Sequence, residues 1–118
     1  MGISWAALTI DAHDPAACAR WWAETLGGEL CEPNPHGVEV RPPGGAGPSL
    51  FFVPGAADKR GKNRLHLDLL TPDPAATLAW LERRGARRVD IGQGDAPGWS
   101  VLRDPEGNEF CLLEPAGQ

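Results

Sequence analysis

The sequence predicts an α+β fold: two βαβββ modules in tandem, forming a curved eight-stranded mixed sheet with the helices on its convex side. Three observations predict it. The octapeptide "DPAACARW" (Asp14–Trp21) returns as "DPAATLAW" (Asp73–Trp80), 59 residues later. Each copy follows a short apolar, strand-like stretch. Each is followed by three more strand-like segments separated by Pro and Gly. One such module cannot bury both its helix and its sheet, whereas two side by side can, leaving a concave face for a ligand. The expected organisation is a single domain over 1–118, with module one at about 3–54, a connector at 55–63 and module two at about 64–115.

Each element has a local reason. "SWAALTIDA" (Ser4–Ala12) is rich in apolar and β-branched residues and ends at a turn signal, so it predicts the first strand. In "HDPAACARWWAETLGG" Asp14 can cap a helix, Pro15 suits its first position and Gly27-Gly28 closes it. Ala17, Cys18, Trp21, Thr25 and Trp22 fall at helical spacing on one face. "GELCEP", "GVEVRPP" and "SLFFVP" are three short strands, the second alternating as a half-exposed strand should. The second half repeats this order: "RLHLDLL" (Arg64–Leu70), the helix "DPAATLAWLERRG", then "ARRVDIG", "WSVLRD" and "NEFCLLEP". The last two strands are joined by "DPEGN", where Pro105 sets a turn and Gly107 can take positive φ.

Composition narrows the function classes. A net charge of −5 argues against nucleic acid, which needs a basic stripe to release counterions. The one basic cluster, "KRGKNR" (Lys59–Arg64), reads as a solvated connector or as a lip steering an anionic ligand. No run approaches the ~18 apolar residues of a membrane span. The opening "MGISWAALTIDAHD" lacks the features of a signal peptide. Cys18, Cys31 and Cys111 are odd in number and widely spaced, which suits reduced thiols in a cytoplasm.

The paired modules, "RLHLDL" opening the second half and "WSVLRDPEGNEFCLLEP" closing it resemble the vicinal oxygen chelate superfamily of glyoxalase I, bleomycin-resistance proteins and extradiol dioxygenases. "KNRLHLDL" and "DPEGNEFCLL" bring the likeness closest to its glyoxalase-like domain branch. In the metal-dependent members of the superfamily the ligands come from the first and fourth strands of each module. His66 falls at one such position, seven residues before Asp73. The matching residue before Asp14 is Ala7, where those members place a His. Cys111 stands where they carry a Glu, and Leu50 to Phe52 offer no donor to a cation. A catalytic zinc-type site takes about three protein ligands and an open position. No metal or other cofactor is therefore expected; a divalent cation at His66 and Cys111 would have two donors at most. The resemblance also implies a homodimer.

Strand alternation selects the inward-facing side chains. If His66 faces the cup, so does Asp68, and Leu65, Leu67 and Leu69 turn to the helices. His66 is then either a general base oriented by Asp68 or a hydrogen-bonded residue that shapes the pocket. Glu109, Cys111 and Leu113 share a face, with Phe110 and Leu112 packed behind. Cys111 is a reactive thiolate if His66 lies close, and otherwise a small inert apolar residue. Trp5 and Ala7 share the inward face of the first strand, and Trp99 opens the seventh beside "GQGDAPG". Trp5 and Trp99 can stack on a flat ligand. Trp21 and Trp80, at matching helix positions, read as core; His13 and His36 read as surface; Glu39 is a carboxylate whose facing is open. "RPPGGAGPS" and "GQGDAPG" lack the strand-to-helix context of a phosphate cradle.

The expected pocket is lined by Trp5, Ala7, Phe52, His66, Asp68, Trp99 and Cys111. The first functional reading is small-molecule binding without turnover, sequestering an aromatic antibiotic or metabolite. The second is a metal-free lyase or isomerase with His66 as base. The third, a metal-dependent glyoxalase or dioxygenase, needs ligands the sequence does not supply. No nucleic-acid or membrane partner is expected.

Overall fold

The computed structural model describes all residues except Met1, Ser4, 56–64, 90–98 and 115–118. It divides into two compact units, Met1–Asp58 and Lys59–Gln118. Among the described residues each carries one α-helix and one four-stranded mixed sheet, so the two predicted βαβββ modules and their strands are present.

In the first unit β1 (Ala7–Ala12) leads to α1 (Pro15–Leu26), then β2 (Glu29–Leu30), β3 (Val38–Arg41) and β4 (Ser49–Pro54). The sheet order is β1-β4-β3-β2, with β1 and β4 parallel and the other pairs antiparallel. The parallel pair needs a long crossover, and α1 is its principal element. Asp14 starts the helix by accepting a hydrogen bond from Ala17 N at 3.1 Å, Pro15 follows, and Gly27 ends it at φ 65°. The helix buries Cys18, Ala19, Trp21, Trp22 and Ala23, and the two Trp rings meet edge to face at 5.0 Å. It packs on β3 and β4, where Val38, Val40, Leu50 and Phe52 form the buried face. Gly37 is required at the start of β3, because a Cβ there would stand 2.3 Å from the Phe52 carbonyl oxygen.

The second unit runs β5 (Leu67–Leu70), α2 (Pro74–Arg83), β6 (Arg87–Arg88), β7 (Trp99–Arg103) and β8 (Glu109–Leu113). Its sheet order, β5-β8-β7-β6, repeats the first, again with the first and last strands parallel. Asp73 caps α2 by accepting from Ala76 N at 3.2 Å, as Asp14 does for α1. Replacing either Asp by Ala is expected to cost about 1 kcal/mol; urea denaturation of the two single variants and the double variant checks the value and its additivity.

Three expectations are corrected. The first strand begins at Ala7 rather than Ser4, so Trp5 precedes the sheet and is 78% exposed. Alternation therefore does not direct its ring to either face. Trp21 and Trp80 match in sequence but not in burial: Trp21 is core, while Trp80 is 37% exposed and covered by the Arg84 guanidinium, 4.3 Å above its ring. The matching position that both helices bury is the next one, Trp22 and Leu81. Leu65, expected to turn toward a helix, lies ahead of β5 and is exposed. His13 and His36 are exposed as expected.

Candidate functional site

The chemistry-bearing residues of the second unit meet on one face because of the register of β5 against β8. Leu67 pairs with Phe110, Asp68 with Cys111 and Leu69 with Leu112. Side chains alternate across a strand, so Asp68 and Cys111 share one face while Phe110 and Leu112 take the other. The latter two are buried, and α2 packs on β8. Glu109 shares the face of Cys111, and Val101 on β7 stands directly across from Cys111. His66 immediately precedes β5 and reaches the same place.

There His66 Nε2 lies 3.1 Å from Asp68 Oδ1, with side chains 43% and 53% exposed. Cys111 is only 7% exposed. One donor atom from each of His66, Asp68 and Cys111 lies within 4.8 Å of the other two. An imidazole, a carboxylate and a thiol thus converge at a place open to solvent on the His66–Asp68 side. Glu109, which belongs to this face, is buried with its Oε2 3.8 Å from Arg103 Nη2.

On the corresponding face of the first unit β1 places Ala7, Thr9 and Asp11, and β4 places Ser49, Phe51 and Val53. Phe51, not Phe52, is the counterpart of Cys111: Thr9 pairs with Phe51 as Asp68 pairs with Cys111. The stretch from β5 to β8 is one residue longer than that from β1 to β4, and one residue of slip exchanges the two faces of a strand. Phe52 pairs with Ile10 and Val38 and is fully buried in the core. It therefore leaves the candidate set and Phe51, half-buried, enters it. Glu39 now has a facing too: it pairs with Phe51 and lies 3.6 Å from Arg41 Nε. Trp99 begins β7 across from Leu113, and its side chain lies outside the described residues. The "KRGKNR" cluster and "GQGDAPG" also lie outside them.

Cys31, beside β2, is held in a different environment. Burial pushes its thiol up from the ordinary cysteine range, and the carboxylates of Glu39 and Glu29 act in the same direction against Arg41.

The superfamily's metal arrangement does not fit this chain. Its four positions hold Ala7, Phe51, His66 and Cys111, and the first two have no donor for a cation. Asp68 would have to complete a set within one module. However, its carboxylate is the partner that orients the His66 ring. In metal centres that orienting role falls to an outer group while the ligand carboxylate faces the ion. Within the second unit His66, Asp68 and Cys111 nonetheless bring three donor atoms within 4.8 Å of one another, one more than the two expected from the sequence.

The family model described as "Glyoxalase-like domain" matches residues 7–113. No curated protein matches the chain. Among solved structures, it is similar to TnmS3, an antibiotic binding protein from Streptomyces sp. CB03234. That likeness has 29% identity and a TM-score of 0.68, covering 98% of this chain and 99% of that one. It is also similar to a glyoxalase/bleomycin resistance protein from the same Streptomyces, at 29% identity and TM-score 0.60, covering 93% and 99%. Oxidase ChaP-H2 shares the fold at 21% identity and TM-score 0.70, covering 100% and 98%. With its two βαβββ modules and a family match spanning all its strands and helices, the chain belongs to the glyoxalase-like domain family of the vicinal oxygen chelate superfamily.

Proposed function

We propose that the chain binds an aromatic small molecule, an antibiotic or a metabolite, and holds it without converting it. The observation that carries this reading is the end-to-end likeness, at 29% identity, to an antibiotic binding protein. The residues support it. The superfamily's metal-holding positions are half filled by Ala7 and Phe51, neither of which can hold a cation. His66 and Asp68, polar and partly exposed, suit a hydroxyl or carbonyl group of a ligand. In this reading the protein needs no cofactor. It acts in the cytoplasm, which its three free thiols favour, and as a homodimer, as the resemblance implies. No described helix is long and apolar enough to cross a membrane.

The His66–Asp68 pair at 3.1 Å favours a second reading, a metal-free lyase or isomerase in which the carboxylate orients His66 as general base. One variant separates the two. If the protein only binds, His66→Ala weakens affinity about tenfold, the worth of one good hydrogen bond, and neither form alters the compound. If it is an enzyme, the wild type converts the compound and His66→Ala loses about 10²–10⁴-fold in rate. Chromatography of the compound after incubation with each form reads the difference.

A further inference from the structure

We propose that Cys111 is a nucleophile that captures electrophilic ligands covalently, with the His66–Asp68 pair taking its proton. The ligand class rests on the binding reading above; the reactivity of the thiol does not.

Three observations carry the proposal. The parallel pairing of Asp68 with Cys111 fixes the thiol on the face of the His66–Asp68 pair, with donor atoms of all three residues within 4.8 Å of one another. Asp68 holds one ring nitrogen of His66, which leaves the imidazole oriented and able to exchange a proton through the other. The sulfur itself is shielded, yet both residues beside it are partly open to water, so a flat ligand can approach over the imidazole. Of the other charged groups that the register places on this face, Glu109 on β8 and Arg103 on β7 are engaged with each other, and Arg87 on β6 stands across from Arg103. The other two cysteines lack this setting. Cys18 is buried on α1, and Cys31 has Glu39 and Glu29 beside it.

The chemistry balances without an added oxidant or reductant. The Cys111 S–H proton passes to His66, and the sulfur adds to the β-carbon of an α,β-unsaturated carbonyl such as a quinone or maleimide. A carbon–sulfur bond forms and the carbon–carbon π bond breaks. Its electron pair becomes an enolate, which recovers the proton from the imidazolium. The product is a thioether.

N-ethylmaleimide is the probe, used at neutral pH on the full chain, with labelling of each cysteine followed by peptide mass spectrometry. Cys111 is expected to react at least about tenfold faster than Cys18 and Cys31, because it has a base beside it to take the thiol proton. His66→Gln and Asp68→Asn should each slow Cys111 by about the same factor while Cys18 stays protected. Exposure of Cys18 in one variant marks unfolding, and the other then decides. Equal rates at Cys111 and Cys31 would overturn the proposal, as would unchanged labelling in a folded variant. So would stoichiometric zinc uptake by the wild type that Cys111→Ser abolishes. Failure of the thiol leaves ligand titration of Cys111→Ser intact; failure of the binding reading abolishes titration while labelling persists.

Discussion

Phe52→Ala is expected to destabilise the protein by about 3–5 kcal/mol, whereas Phe51→Ala should cost about 1 kcal/mol. The two rings are neighbours in sequence and chemically identical, so the difference tests the strand's facing and nothing else. Phe52 is fully buried between Ile10 and Val38, and its loss opens a cavity beneath α1, which packs on the same two strands. Phe51 is half-buried on the opposite face and leaves no enclosed void. The binding consequence runs the other way: Phe51→Ala should weaken an aromatic ligand while the fold survives. Urea denaturation of both variants reads the first effect, and ligand titration of Phe51→Ala the second. Equal destabilisation by the two substitutions would place β4 in the wrong register.

Asp104→Ala should lower stability by roughly 3 kcal/mol, with Asp104→Asn falling between it and the wild type. Asp104 is a buried carboxylate at the β7–β8 hairpin. Its Oδ1 accepts from Glu106 N at 2.9 Å and from Asn108 N at 2.8 Å, and its Oδ2 accepts from Asn108 Nδ2 at 3.2 Å. Removing the carboxylate leaves these donors without it, and hydrogen bonds to a charged group are worth more than neutral ones. The hairpin also sets the register that places Cys111 beside Asp68, since a slip of one residue would turn the thiol to the helix side. Loss of Asp104 should therefore erase the fast labelling of Cys111 as well as stability. Thermal unfolding and cysteine labelling of the same variant measure both.

The sequence made the local devices legible. Asp-Pro marks both helix starts, "DPEGN" marks the final hairpin, and alternation in "RLHLDLL" and "NEFCLLEP" puts Asp68 and Cys111 on equivalent faces. What depended on long-range pairing was hidden. Nothing local reports that the path from β5 to β8 exceeds that from β1 to β4 by one residue, and so Phe52 stood in for Phe51. Trp5 lies beyond the reach of the ladder, which starts two residues later, and Trp80 is sheltered by Arg84 from the next helical turn rather than by the core. The closeness of Cys111 to His66 likewise needed the pairing of two strands far apart in the chain. The pairing of buried Glu109 with exposed Arg103 needed cross-strand register for the same reason. The departures from the superfamily's metal positions, by contrast, were readable from residue types alone, because alanine and phenylalanine cannot hold a cation in any geometry.

The protein is proposed to hold its ligand without converting it and without a metal. Protein stripped of divalent ions with EDTA, equilibrated with a panel of aromatic antibiotics across a dialysis membrane, tests it most directly. The expected result is saturable uptake of at least one compound, at one molecule per chain, with the non-covalently held fraction recovered chemically unchanged after denaturation. Steady appearance of a product beyond one equivalent, or uptake that occurs only after a divalent cation is restored, would contradict it.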